Sequence, residues 1–316
     1  MRKYSLFSAL CLLLAVCSTL QAQRVQDTSL VSVTYGIPYC DVQTPGQKHA
    51  QTLCFDLYEP ADSSGQMRPL VITLFGGGFV FGSRDHADMK NWCMRLAKEG
   101  FAAASIDYRV MPLGKFSNKN LVRTGYLASQ DVSTAVRYFK ANGDRYHIDT
   151  NRIFLLGQSA GAVAIIHALY MDEDQRPELT FAEPALSPLH TNAPIDASLS
   201  TFSVAGAVLL WGSVFSPDMI DADENTPVCM IHGTKDKILP LVEGHAFSMR
   251  HLPYVYGSQS IANRMQNLGI TSYELHIFDR KRHAFYFRDL YMYHLIQSQF
   301  DDCFQVAIDF LRSHSH

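Results

Sequence analysis

Ile153-Phe154-Leu155-Leu156-Gly157-Gln158-Ser159-Ala160-Gly161, running on into Ala162-Val163-Ala164-Ile165-Ile166-His167-Ala168-Leu169-Tyr170-Met171, is the stretch from which the rest of the chain can be read. A short apolar run closed by Gly reads as a buried strand, and the longer run that is apolar all round reads as a buried helix. Between them lies G-x-S-x-G. A Ser on a sharp strand-to-helix turn has crowded neighbours, so Gly is needed two residues before it and two after it. The turn also aims the first N–H groups of the helix, which have no partner within it, at whatever the Ser approaches. The string alone recurs by chance, and a Gly-rich helix start is the plain alternative. Its place between a strand and a helix is what gives it weight.

The alternation continues outward in both directions. Val31–Tyr35, Leu53–Tyr58, Leu70–Phe75, Ala102–Asp107, Ile153–Leu156, Ala205–Trp211, Val228–Ile231 and Tyr273–Phe278 read as about eight strands. The first two suit an antiparallel pair, with Cys40 and Cys54 near their connection and a disulfide between them left open. From Leu70 onward helical patterns intervene: Ala87–Glu99, a face carrying Val132, Ala135, Val136 and Phe139, Ala160–Met171, Ile261–Leu268 and Leu290–Arg312. The expected fold is α/β, a mostly parallel sheet covered by helices on both faces. Ligands of such sheets sit beyond the carboxyl ends of the strands.

Composition narrows the class. The chain has 316 residues, 47% hydrophobic and 18% charged, with a formal net charge of −3, and no run of five like charges. Disorder and nucleic-acid binding are poor readings of such a chain. Seven Cys without C-x-x-C, and no H-E-x-x-H, give a metal site no support. Met1-Arg2-Lys3 followed by the apolar Leu6–Val16 and the small Ala22 has the layout of a secretory signal peptide. That apolar core is shorter than the roughly 20 residues a stable transmembrane anchor needs. The expectation is residues 1–22 as signal, residues 23–316 as one domain, and a periplasmic or secreted product. A buried first helix and lipoprotein processing at Cys17 are the alternatives. Cleavage after Ala22 leaves Cys40, Cys54, Cys93, Cys229 and Cys303, of which at least one is free or paired between chains.

Leu70–Phe75 runs into Gly76-Gly77-Gly78-Phe79-Val80-Phe81-Gly82. Consecutive glycines after a buried strand let backbone N–H groups approach a ligand, which suits stabilisation of an oxyanion. A flexible turn and a phosphate cradle compete, but no Lys-Ser/Thr follows at P-loop spacing.

Together, the glycine loop and G-x-S-x-G resemble the α/β-hydrolase family, and more closely its carboxylesterase and hormone-sensitive-lipase-like branch. The resemblance runs from about residue 50 to the C-terminus. That branch carries His-Gly-Gly-Gly where this chain has Phe75 in place of the His, which puts the support of the loop in question. Asp107-Tyr108-Arg109 and Gln130-Asp131 also fit, in structural roles. His232-Gly233-Thr234-Lys235-Asp236-Lys237-Ile238-Leu239-Pro240 resembles the family's acid loop and nominates Asp236, ahead of Asp218, Asp221 and Asp223. His283-Ala284-Phe285 is similar to the catalytic His loop and nominates His283, ahead of His245, His251 and His276. His232 is read as a packing residue, and His314 and His316 as tail.

The implied chemistry is acyl transfer with Ser159 as nucleophile, His283 as base and Asp236 orienting it. The amides of Gly77, Gly78 and Ala160 form the implied oxyanion hole, and no metal or organic cofactor is required. Met111–Leu127, Asp172–Phe202 and Gly244–Tyr256 are the segments expected to shape a pocket, with Phe79, Phe81, Tyr254 and Tyr256 as candidate stacking aromatics. About 16 residues separate Trp211 from Val228, too few for a large helical cap. The expected substrate is a small-molecule or polysaccharide-borne ester with a short or medium acyl group, an acetyl- or feruloyl-xylan ester being a special case. An exopeptidase would add a propeller, for which the length leaves no room, or an acidic amine-binding loop. A non-catalytic binding protein on the same scaffold would show a broken triad.

Overall fold

The computed structural model describes residues 24–26, 30–44, 48–61, 65–189, 202–288 and 294–315. The proposed signal segment, with Cys11 and Cys17, lies outside them. Twelve strands follow in chain order: β1 Arg24–Gln26, β2 Val31–Val42, β3 Gln51–Pro60, β4 Arg68–Leu74, β5 Ala102–Ile106, β6 Ile148–Gln158, β7 Gly206–Leu210, β8 Ser213–Val214, β9 Val228–Gly233, β10 Glu243–His245, β11 Tyr254–Gly257 and β12 Tyr273–Phe278. Nine of them form one sheet in the order β1-β2-β3-β5-β4-β6-β7-β9-β12. The pairs β1–β2, β2–β3 and β3–β5 are antiparallel, and every pairing from β5 to β12 is parallel. The eight expected strands are all present, and Arg24–Gln26 adds a ninth. Three short strands, β10-β11-β8, make a second antiparallel sheet that the sequence pattern did not signal.

Among the described residues five α-helices complete the layers: α1 Ala87–Lys98, α2 Asn118–Ala141, α3 Ala160–Tyr170, α4 Ser258–Asn267 and α5 Gln297–Ser313. Strand alternation sends neighbouring side chains to opposite faces. Thr73 Oγ1 meets Cys93 Sγ of α1 at 3.3 Å, whereas a Cβ on Gly161 of α3 would lie 2.8 Å from Leu74 Cβ. Helices therefore cover both faces. On the first face Trp92 of α1 packs against Phe300 and Phe304 of α5, with ring centroids 4.9 and 5.5 Å apart. Ile153–Leu156 of β6, in the middle of the sheet, are fully buried, as a strand covered on both sides must be.

One open pairing is resolved and two helices take their observed bounds. Cys40 and Cys54 do not pair and remain thiols. In the register Cys40 faces Leu53, so Cys54, one residue on, projects to the other side of the sheet. Helix α2 reaches back to Asn118, capped by Ser117 Oγ accepting from the Asn120 N–H at 3.3 Å, so most of Met111–Leu127 is helix. Helix α5 begins at Gln297, later than Leu290.

Polar clasps hold the layers in register. Arg109, just after β5, donates from Nε to both Asp131 carboxylate oxygens at 2.9 Å, and from Nη2 to Leu127 O and Gln130 Oε1 at 3.0 Å. Burial pushes the Asp131 carboxyl up and the Arg109 charge opposes it. Removing one member of such a buried pair costs about 3–5 kcal/mol. On α2, Arg123 donates to the carbonyls of Leu179 at 2.8 Å and Ala182 at 2.7 Å and to that of Pro184, while Gln130 Nε2 donates to Ser187 O at 2.7 Å. The described part of the segment after α3 is thereby strapped onto α2.

Candidate active site

Ser159 sits between the end of β6 and the first turn of α3, with φ 52° and ψ −118°. A non-Gly residue in that region costs on the order of 1–3 kcal/mol and persists only where its surroundings dictate it. Here they do. A Cβ on Gly157 would lie 2.6 Å from the Gly161 carbonyl carbon, and one on Gly161 would lie 2.6 Å from Leu74 O. The Ser159 N–H is also held by Leu210 O at 2.9 Å. The strain thus follows from close packing of strand, turn and helix.

His283, in the loop after β12, brings Nε2 to 2.8 Å from Ser159 Oγ and Nδ1 to 2.6 Å from Asp236 Oδ2. Since the carboxylate can only accept, Nδ1 carries the proton and Nε2 is left to accept from the Ser hydroxyl. Asp236 Oδ1 accepts from the N–H groups of Ile238 at 2.8 Å and Leu239 at 3.0 Å. Burial raises the Asp236 carboxyl, but the imidazoles of His283 and His232 outweigh it and hold the group well below the usual carboxylate range. His232 is more than packing. Its Nε2 faces two acceptors, Leu239 O at 3.0 Å and Asp236 Oδ2 at 3.3 Å, and its Nδ1 accepts from Ser258 Oγ at 2.8 Å. The three nominated side chains are each at most 8% exposed, so their mutual attraction is little screened.

The other nominated residues lie apart from this trio. Asp218 contacts Arg264 at 3.7 Å, Asp221 accepts from Gln175, His245 donates to Leu252 O, and His276 pairs with Glu274 at 3.0 Å. Cys229 joins that last pair to bring three ligand-type atoms within 4.8 Å of one another. Burial pushes its thiol up, so it stays protonated without an ion.

The glycine loop borders the same cleft. Gly78, Ser159 and Ala160 line it together with Phe79, Leu121, Val163, Ser213, Phe215, Ile238, Leu239, Ala246, Phe247, Pro253 and Val255. Ala160 is the first residue of α3, where the N–H has no acceptor within the helix. Gly77 has φ 126°, and a Cβ there would lie 2.2 Å from Phe81 O. The support that a His would give the loop comes instead from Phe75. Its ring stacks on Tyr108 at 4.2 Å, and Tyr108 Oη donates to Phe75 O at 2.7 Å. Of the expected pocket segments, the first contributes Leu121 and the third Ala246, Phe247, Pro253 and Val255; the described part of the second contributes none. Phe79 lines the cleft, whereas Phe81, Tyr254 and Tyr256 do not.

A wound parallel sheet presenting Ser, His and Asp at its carboxyl edge defines an α/β-hydrolase of the serine type. The chain has the α/β-hydrolase fold and is similar in sequence to carboxylesterase-like proteins. The family model described as BD-FAE matches residues 55–208. The chain is 36% identical over 107 residues to the isoprenylcysteine alpha-carbonyl methylesterase of Arabidopsis thaliana, covering 34% of this chain and 22% of that protein. It is 27% identical over 237 residues to Esterase LipC of Mycobacterium tuberculosis, covering 65% and 53%. The chain thus spans between about a fifth and about half of these curated relatives. Thermogutta terrifontis esterase 2 phosphorylated by paraoxon is similar in fold, with a TM-score of 0.60 at 20% identity over 90% of this chain and 94% of that one. No helix among the described residues is long and apolar enough to cross a membrane.

Proposed function

We propose that the protein is a serine carboxylic-ester hydrolase acting on short to medium acyl esters. The observation that carries the reading is the His283 imidazole joining Ser159 Oγ at 2.8 Å to Asp236 at 2.6 Å beside an apolar cleft. Ser159 Oγ attacks the ester carbonyl carbon as His283 Nε2 takes its proton, and the carbonyl oxygen becomes an oxyanion facing the amides of Gly77, Gly78 and Ala160. The imidazolium, stabilised by ionised Asp236, returns the proton to the departing alkoxide, leaving an acyl-enzyme. Water then attacks with His283 as base, and the tetrahedral adduct releases the acid. The apolar lining fits an uncharged acyl chain, and the absence of a broken triad position counts against a binding-only scaffold. Ser159→Ala tests the reading: turnover of p-nitrophenyl acetate should fall by at least about 10³-fold, and activity near wild type would contradict it.

Export belongs to the same proposal, resting on the basic and apolar N-terminal pattern alone. N-terminal sequencing of the protein from expressing cells should read from Gln23; a chain that keeps Met1 or begins at Cys17 would refute cleavage after Ala22.

A further inference from the structure

Four polar side chains are buried in a row behind the Ser159 turn, and no step above uses them. Trp92 Nε1 donates to Tyr286 Oη at 3.2 Å, Tyr286 Oη donates to Gln158 Oε1 at 2.6 Å, and Gln158 Nε2 donates to Asp88 Oδ2. An indole N–H can only donate, so Tyr286 Oη accepts from Trp92. The phenol still has its own proton, which it donates to Gln158 Oε1. That sets which end of the amide is oxygen and turns the NH2 toward Asp88. Burial keeps the Tyr286 phenol protonated, as the row requires.

The placement of these groups gives the row its consequence. Gln158 is the residue before Ser159, and Tyr286 lies three residues after His283. Asp88 and Trp92 stand one turn apart on α1, so the row begins and ends on a single helix. None of the four is more than 4% exposed. Asp88 Oδ1 is buried without a hydrogen bond and faces the His86 imidazole Nδ1 at 3.7 Å, while Oδ2 accepts from Gln158.

We propose that Asp88, Trp92, Gln158 and Tyr286 form a positioning circuit that holds the Ser159 turn and the His283 loop at their working separation, and so sets the rate of acyl transfer and not the affinity for substrate. The proposal rests on the esterase reading. Misplacing reacting groups by about 1 Å costs on the order of 10²-fold in rate. Tyr286→Phe removes the bond that joins the two loops and keeps the ring. Asp88→Leu removes the acceptor, whereas Asp88→Asn keeps an oxygen for Gln158 Nε2.

The test measures kcat and KM for p-nitrophenyl acetate and the rate of labelling by a fluorophosphonate, each per folded molecule as fixed by circular dichroism. Tyr286→Phe and Asp88→Leu should lower kcat and the labelling rate together, by about 10- to 100-fold, with KM changed less than about twofold. Asp88→Asn should recover most of the loss seen in Asp88→Leu. Wild-type kcat and labelling in folded Tyr286→Phe and Asp88→Leu, whatever their melting temperatures, overturn the proposal. Should both fail to fold, Trp92→Phe decides: a several-fold fall in kcat supports the circuit and no change overturns it. Ser159→Ala separates the two readings. If it retains turnover, the esterase reading fails; if it is inactive while Tyr286→Phe is wild type, only the circuit fails.

Discussion

Asp236 serves two loops with one carboxylate: Oδ1 closes its own turn on the amides of Ile238 and Leu239, and Oδ2 meets His283. Asp236→Asn should preserve the turn and reverse the imidazole tautomer, lowering kcat by about 10³- to 10⁴-fold with little change in KM. Its folded-state pKa lies below the ordinary carboxylate value. The stabilisation is therefore fully present above that ordinary value, about 3.9, and is lost as pH falls toward the folded one. His167 gives the opposite end of the acid range. It is buried and neutral, donating from Nδ1 to Val163 O at 2.7 Å and accepting the Phe215 N–H at Nε2 at 3.2 Å. Burial pushes it down from 6.5 to about 4. Between those values the unfolded chain binds the extra proton, so stability drops as pH falls through the window, by about 3 kcal/mol in all. Urea titrations of His167→Gln should show a flatter stability curve between pH 6.5 and 4 than the parent; identical slopes would show that His167 does not control this window.

At the scale of elements, the glycine loop and the strapped segment behave differently. Tyr108→Phe removes the hydrogen bond to Phe75 O and keeps the stacked ring, so we expect about 1 kcal/mol lost in urea unfolding and a fall in kcat if the loop supplies the proposed oxyanion amides. A change in stability with no change in kcat would detach the Phe75 support from the chemistry. Arg123→Ala should release the segment spanning 176–188, seen as faster limited proteolysis there, with unchanged turnover of short esters because that stretch does not line the cleft. Altered KM would mean that it does. These elements also show what the residues alone disclosed. The Ser159 turn was legible because crowding forces glycine at 157 and 161. Phe75 was legible as a departure, but its stacking on Tyr108 depends on two strand ends meeting. Helix α2 was legible only from Val132 onward. Its stretch before Val132 buries the polar Arg123, Thr124, Ser129, Gln130 and Asp131, so no clean apolar period appears. The sheet β10-β11-β8 has strands of two to four residues, too short for any period to register.

Over the whole molecule, the inner parallel strands were readable because burial on both faces leaves them mostly apolar, and the alternation with helices pointed to a parallel sheet without giving its strand order. What the alternation does not encode is which polar side chains meet beneath the site. His232, Gln158, Tyr286 and Asp88 come from four separate segments, and only the sheet order β4-β6-β7-β9-β12 brings those segments to one edge. The same order sets Ser159 after β6, Asp236 after β9 and His283 after β12. The central claim is that this edge makes Ser159 a nucleophile, and mass mapping of the folded protein after treatment with a fluorophosphonate tests it most directly. The account predicts one adduct per chain, on the peptide carrying Ser159, with loss of ester turnover in proportion to labelling. An unlabelled Ser159, or full turnover after its labelling, would contradict it.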